Sequence, residues 1–272
     1  MIRRHFTFDC EGSALVATLD RAQGPDGSAH DRANTGLLIV SGGNEVRSGA
    51  WNGQALLAAR VAAAGFPVMR YDRRGIGDSA GPNGGFRSSA PDIAAALAAF
   101  HREQPQLTRV IAFGNCDAAS ALMLVRGQGF TAMVLSNPWT YDDTIAGAEG
   151  EPAPAVPSDI RAHYAQRLKD PAALLRVLKG GVNWRKLLGS LRAAAASAPQ
   201  PSSLAQEMAE GLGHYNGPVA ILLATRDRTA RAFADAWPTG DARIRKCKDA
   251  SHSYVEPQER EWLTAQVLRM LG

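Results

Sequence analysis

The chain has 272 residues, with 30 Lys+Arg against 26 Asp+Glu, six His and three Cys, and at 45% hydrophobic and 21% charged it has a globular composition, neither disordered nor fibrous. An odd number of Cys with no C-x-x-C spacing excludes a disulfide framework and a zinc ribbon, and a net charge of +4 from scattered basic residues argues against a nucleic-acid partner. No run approaches the ~18 apolar residues of a membrane span, and Arg3-Arg4 has no apolar stretch behind it, so a reducing cytoplasm is the expected compartment. Arg4–Asp9 and Ala14–Leu19 read as an opening pair of strands, followed by a polar loop over Arg21–Thr35. Leu37-Leu38-Ile39-Val40 is a continuous apolar run, the pattern of a strand buried on both faces of a parallel sheet. Gln54–Ala64 reads as a helix, Pro67–Tyr71 as a strand and Asp92–Gln104 as a helix. Strand Arg109–Phe113, helix Ala118–Arg126 and strand Ala132–Leu135 follow. The series closes with strand Val219–Ala224, helix Thr229–Ala236, strand Ala242–Lys248 and helix Glu256–Leu271. The basic tract Arg243, Arg245, Lys246, Lys248 falls on the last strand, where such side chains discourage edge-to-edge pairing.

Alternating strands and helices predict an α/β protein with a mostly parallel sheet. The rhythm breaks between Asn137 and Gly217. That stretch holds the Pro-rich run Glu151–Pro157, helical patterns around Ile160–Lys169, Pro171–Leu178 and Trp184–Ala196, and a Pro/Ser hinge at Pro199–Ser203. It reads as a helical cap over 137–216 inserted into a core of 1–136 and 217–272. The cap carries as many basic as acidic residues, so it gives no clue to the sign of a substrate. Trp139, Tyr141 and Trp184 are candidates for an apolar pocket or for cap core.

The most informative stretch is Val110-Ile111-Ala112-Phe113-Gly114-Asn115-Cys116-Asp117-Ala118-Ala119-Ser120. A buried strand ends in Gly-x-Cys-x-Ala and runs directly into a helix. This resembles the nucleophile elbow of the α/β-hydrolase fold, where a sharp strand-to-helix turn needs small residues two before and two after the nucleophile. Gly114 and Ala118 meet that need, and Cys116 stands where Ser is usual. A thiol titrates near ~8.5, and a helix N-terminus or a neighbouring imidazolium lowers that value. Cys10 and Cys247 have no such setting and read as structural.

Three further segments extend the resemblance. Ile39-Val40-Ser41-Gly42-Gly43-Asn44 matches the oxyanion loop of this fold, where backbone N–H groups must come close to a developing negative charge. One donor would be the amide of Asp117, and the other that of Gly43 or Asn44. Asp72-Arg73-Arg74-Gly75-Ile76-Gly77-Asp78-Ser79-Ala80-Gly81 is similar to the Asp-x-Arg-Gly-x-Gly-x-Ser-x-Gly signature, a structural turn in that family. Its glycines do not fit a dinucleotide-binding loop. His252, in Asp249-Ala250-Ser251-His252-Ser253, lies just past the last predicted strand, where the fold places its base. Asp227 follows the penultimate strand and is the leading acid to orient it, with Asp249 second. The order Cys116, Asp227, His252 is the nucleophile–acid–base order of the fold. His5, His30 and His101 read as surface residues, His163 and His214 as cap residues. No metal or cofactor is implied.

The tract Gly65–Ser79 and Cys116-Asp117-Ala118-Ala119-Ser120 also resemble a narrower group, the exosortase A system-associated hydrolase type 1 proteins, encoded in bacterial exopolysaccharide and protein-sorting clusters. That resemblance implies a setting and no particular substrate. Together these features imply a Cys-His-Asp hydrolase or acyl transferase acting on a small-molecule ester or thioester. Two alternatives remain open at this stage: a catalytically silent fold used as a binding scaffold, or Asp117 as the nucleophile.

Overall fold

The structure is a computed structural model that describes residues 1–24, 34–141 and 202–272. Within these lie eight strands, β1 (Ile2–Cys10), β2 (Ser13–Arg21), β3 (Thr35–Val40), β4 (Val68–Tyr71), β5 (Arg109–Asn115), β6 (Ala132–Ser136), β7 (Val219–Ala224) and β8 (Ile244–Cys247). Six helices accompany them: α1 (Gly53–Ala63), α2 (Ala90–Glu103), α3 (Asp117–Leu124), α4 (Ser203–Gly213), α5 (Arg228–Ala236) and α6 (Pro257–Leu271). The strands form one sheet in the order β1-β2-β4-β3-β5-β6-β7-β8. β1 pairs antiparallel with β2 and β2 with β4, and every pairing from β4 onward is parallel.

The apolar runs produce this arrangement because helices cover both faces. In β3, Leu38 and Val40 join one core with Phe100 of α2, Leu122 of α3, Met208 of α4 and Phe233 of α5. Leu37 and Ile39 join the other, with Leu57 and Val61 of α1 and Leu263 and Val267 of α6. A strand buried on both sides has no polar alternation to show, as the sequence of β3 does not. The outer strands carry the charges. Arg3, Arg4 and His5 of β1 are exposed at one edge, and Lys246 of β8 at the other. β1 and β2 join through Glu11 and Gly12, both at positive φ, as a two-residue hairpin turn requires.

β8 is shorter than the run expected from sequence. Asp241 explains the late start: its carboxylate accepts from Arg243 N at 3.0 Å and from Trp237 Nε1 at 2.9 Å, which holds the chain in a turn. The cap expected over 137–216 falls, for residues 142–201, outside the described residues. Its last helix, α4, packs on α3 and contributes Leu204, Met208 and Leu212 to the core.

Strand order reverses around β3, since the chain passes to β4 on one side and to β5 on the other. In open parallel sheets such a switch point leaves a crevice at the carboxyl ends of the strands, where ligands bind. Here the crevice lies between the ends of β3 and β5, paired in register as Val40 opposite Gly114. The Asp72 turn braces it from below. Asp72 is fully buried and accepts from Asp78 N at 3.1 Å, from Arg47 N and from the Arg47 guanidinium. Gly77 must lack a Cβ, because one would lie 2.5 Å from Asp72 Oδ2. Asp72→Ala leaves the Arg47 and Asp78 amides without their acceptor, and a loss of about 2–3 kcal/mol in unfolding free energy is expected by chemical denaturation.

Candidate active site

β5 ends at Asn115 and α3 begins at Asp117, so one residue makes the whole turn. That residue, Cys116, has φ 61° and ψ −129°, a conformation that a non-glycine residue adopts only under strain. The turn is tight enough that a Cβ on Gly114 would lie 2.7 Å from the carbonyl carbon of Ala118. Strand β6 holds the turn from the side: Cys116 N donates to Ser136 O at 2.9 Å, and Trp139 N donates back to Cys116 O at 3.3 Å.

His252 faces the elbow: its Nε2 stands 3.3 Å from the Nδ2 of Asn115, the residue before Cys116, and the Cys116 side chain is close enough to act on the imidazole's charge. On the other side of the ring, His252 Nδ1 meets Asp227 Oδ2 at 2.8 Å. Asp227 is itself pinned, as the N-cap of α5, by the amides of Thr229 at 3.3 Å and Ala230 at 3.0 Å. Burial works against a charge on His252, but the hydrogen bonds to Asp227 and Cys116 and their charges override it and raise its pKa to about 10. Asn115 Nδ2 stands 3.3 Å from His252 Nε2, a hydrogen bond only when the ring is neutral. Asn137 fixes that amide's orientation. Its Nδ2 donates to Asn115 Oδ1 at 3.0 Å and to His252 O at 3.1 Å, and its Oδ1 accepts from Ala224 N at 2.8 Å. Asn137 therefore ties β5, β6, β7 and the His252 loop together.

The Gly42-Gly43 loop presses on the elbow. A Cβ on Gly42 would lie 2.5 Å from Asn115 O and 2.6 Å from Asp117 Oδ1. Gly43 N donates to Asp117 Oδ1 at 2.5 Å, so the carboxylate of the residue after Cys116 folds back onto the loop. Arg73, only 4% exposed, lies beneath both. Its guanidinium donates to Gly43 O, bonds Ser89 Oγ at 3.1 Å and stands 3.5 Å from Asp117 Oδ2. Burial pushes the Asp117 carboxyl above the usual range, while Arg73 and the amides of Gly43 and Ala118 pull the other way. Asn44 turns outward, and its side chain accepts from Asn83 Nδ2 at 3.0 Å.

The remaining candidates lie elsewhere. Asp249 is exposed, and its amide bonds Thr225 Oγ1 at 2.8 Å. Cys10 and Cys247 are both buried. Burial, reinforced by Asp92, raises the Cys10 thiol to about 11, and burial with Glu259 raises Cys247. His5 bonds Thr18 Oγ1 at 2.9 Å on the sheet, His101 is exposed on α2, and His214 is exposed beside Glu210. His30, His163 and Trp184 lie outside the described residues. The Trp139 and Tyr141 rings pack at a tilt of 59°, with centroids 4.6 Å apart, beside the elbow. Among the described residues, no three His, Cys, Asp or Glu side chains gather as a metal site, and no helix is long and apolar enough to cross a membrane.

A mostly parallel sheet covered on both faces, with a strained strand-to-helix turn facing a His–Asp pair, defines the class. The sequence matches the alpha/beta hydrolase family over residues 37–265, and the chain belongs to that family. The structure is similar to an esterase of Pyrococcus furiosus, at 13% identity and TM-score 0.61, covering 99% of this chain and 89% of that one. It is similar to an alpha-beta serine hydrolase homologue of Coxiella burnetii at 14% identity and TM-score 0.60, over 100% and 99% of the two chains. A proline iminopeptidase of Mycobacterium smegmatis is 16% identical with TM-score 0.58, at 98% coverage of both. No curated protein sequence gives a significant match.

Proposed function

We propose that this hydrolase cleaves or transfers the acyl group of a small-molecule ester or thioester through a Cys116 acyl-enzyme. The observation that carries this reading is Cys116 on a strained elbow that faces a histidine, whose Nε2 stands 3.3 Å from neighbouring Asn115 and whose far nitrogen bonds Asp227 at 2.8 Å. The thiolate attacks the acyl carbon, and the carbonyl π electrons move onto oxygen. As the tetrahedral species collapses, His252 gives its Nε2 proton to the departing alkoxide or thiolate. The acyl group remains as a thioester on Cys116. Neutral His252 then takes a proton from water or another acceptor, which attacks and releases the acid or the new ester. Asp227 holds the ring with Nδ1–H inward and stabilises the imidazolium. The amide of Asp117 is one donor to the oxyanion and that of Gly43 the other. No cofactor takes part in these steps. The tract Gly65–Ser79 and the Cys-Asp-Ala-Ala-Ser run support a place beside bacterial exosortase and exopolysaccharide systems.

Alkylation of Cys116 by iodoacetamide tests the thiolate–imidazolium pair without a substrate. At pH 7, labelling of Cys116 is expected to be at least about tenfold slower in His252→Ala than in wild type, since the imidazolium favours the thiolate. Equal, slow labelling in both would make Cys116 an inert thiol and the protein a binding scaffold.

A further inference from the structure

An oxyanion site offers backbone N–H groups to a carbonyl oxygen, and those donors must be free when substrate arrives. In this chain the Gly43 N–H is taken. Asp117 Oδ1 accepts it at 2.5 Å, and the loop sits so close that a Cβ on Gly42 would lie 2.6 Å from the same oxygen. The arrangement is built, because a buried Arg73 bridges the two partners. It donates to Gly43 O and faces Asp117 Oδ2 at 3.5 Å. The Asp117 side chain is 13% exposed, so the carboxylate is largely shielded from water.

We infer that the Asp117 carboxylate stands in for the acyl oxygen at the Gly43 amide, so that the site rests closed and acylation requires Asp117 to leave Gly43 for Arg73. This rests on the acyl-transfer reading for its consequence but not for its geometry. Two physical effects make the contact inhibitory. The carboxylate occupies the position of the reacting oxygen, and its negative charge lies beside the point where a second one would form. Arg73 gives the displaced carboxylate somewhere to go, since Oδ2 already faces its guanidinium. Asp117 is thus a specificity-determining residue: only an acyl oxygen able to outcompete a carboxylate gains the Gly43 amide.

The test is the burst of p-nitrophenolate from p-nitrophenyl butyrate, with Cys116→Ala marking the part that depends on the thiol. Asp117→Ala removes the carboxylate and keeps the residue-117 amide. Its burst is expected to be at least about tenfold faster than wild type, a lower bound for freeing one oxyanion donor. Formate, small enough to refill the vacated place between Arg73 and Gly43, should slow that burst towards wild type and leave wild type unaffected. Asp117→Asn keeps the volume without the charge and should fall between the two, and it carries the same comparison if Asp117→Ala does not fold. Thiol-dependent bursts no faster in either variant than in wild type would overturn the closed resting site. A formate-dependent rise in the melting temperature of Asp117→Ala alone, with no burst in any protein, would keep the closed site and overturn the acyl-transfer reading. Neither a burst nor a formate effect would overturn both.

Discussion

Asp227→Asn is expected to lower turnover of an activated ester by about 10³–10⁴ while costing less than about 1 kcal/mol of stability. Asp227 has two duties, and its Oδ2 takes part in both. Its carboxylate caps α5 through the Thr229 and Ala230 amides, and it orients His252 through Nδ1. Asparagine can keep the Thr229 bond on its amide oxygen but gives up the Ala230 bond, because Oδ2 serves both that amide and Nδ1. Its NH₂ group then faces Nδ1 and turns the ring to the wrong tautomer. Asp227→Ala loses both duties, so the same fall in rate should come with about 1 kcal/mol of lost stability. Full activity in Asp227→Asn would remove this residue from the catalytic set.

The same substitution has a signature in pH. His252 titrates near 10 in the folded chain, against about 6.5 for a free imidazole. A base raised in this way contributes stability that is fully present below about pH 6.5 and is lost as pH rises through 10. Without the Asp227 charge the upper limit moves down, and thermal melts across pH 6–11 should show a weaker alkaline decline in Asp227→Asn.

Gly114→Val is expected to cost about 4 kcal/mol or more, enough to lower the melting temperature by roughly 8–16 °C in a domain of this size. The atoms a side chain would meet are the Ala118 carbonyl carbon at 2.7 Å and oxygen at 2.8 Å, with Ala119 N at 2.8 Å. All three belong to the first turn of a buried helix and cannot swing aside. Relief would require α3 to move away from β5, and Ala118, Ala119 and Leu122 are fully buried against the core. Midpoints within a degree or two of wild type would show that the elbow is looser than its geometry.

Much of this was legible in the chain. Continuous apolar runs mark β3, β5, β6 and β7 because both faces of the sheet are covered. The small residues at 114 and 118 follow from local geometry, so Cys116 could be singled out from eleven consecutive letters. Asp227 and His252 were legible from their places after β7 and β8, and it is Asp227 that bonds the ring while Asp249 faces solvent. What escaped was long-range and polar. Arg73 reads as one more residue of a structural turn, yet its guanidinium lies under the oxyanion loop, which packs beside it only in the folded chain. Asn115 and Asn137 carry no periodic signal, and their partners sit on other strands. Whether Gly43 or Asn44 supplies the second oxyanion donor depends on which amide turns inward, and no local pattern in the sequence carries that. The doubled arginine at 73 and 74 was the one available hint, because a single arginine satisfies the family turn.

Strand β6 contributes no reacting atom, yet both halves of the site hang from its end. Ser136 O receives the Cys116 amide, and the adjacent Asn137 side chain receives the Ala224 amide and grips Asn115 and the His252 carbonyl. A displacement of that strand end carries thiol and imidazole together, as two instruments mounted on one bench. Their separation is insulated from motions of the surrounding scaffold, and alignment can be lost only by breaking the mount itself.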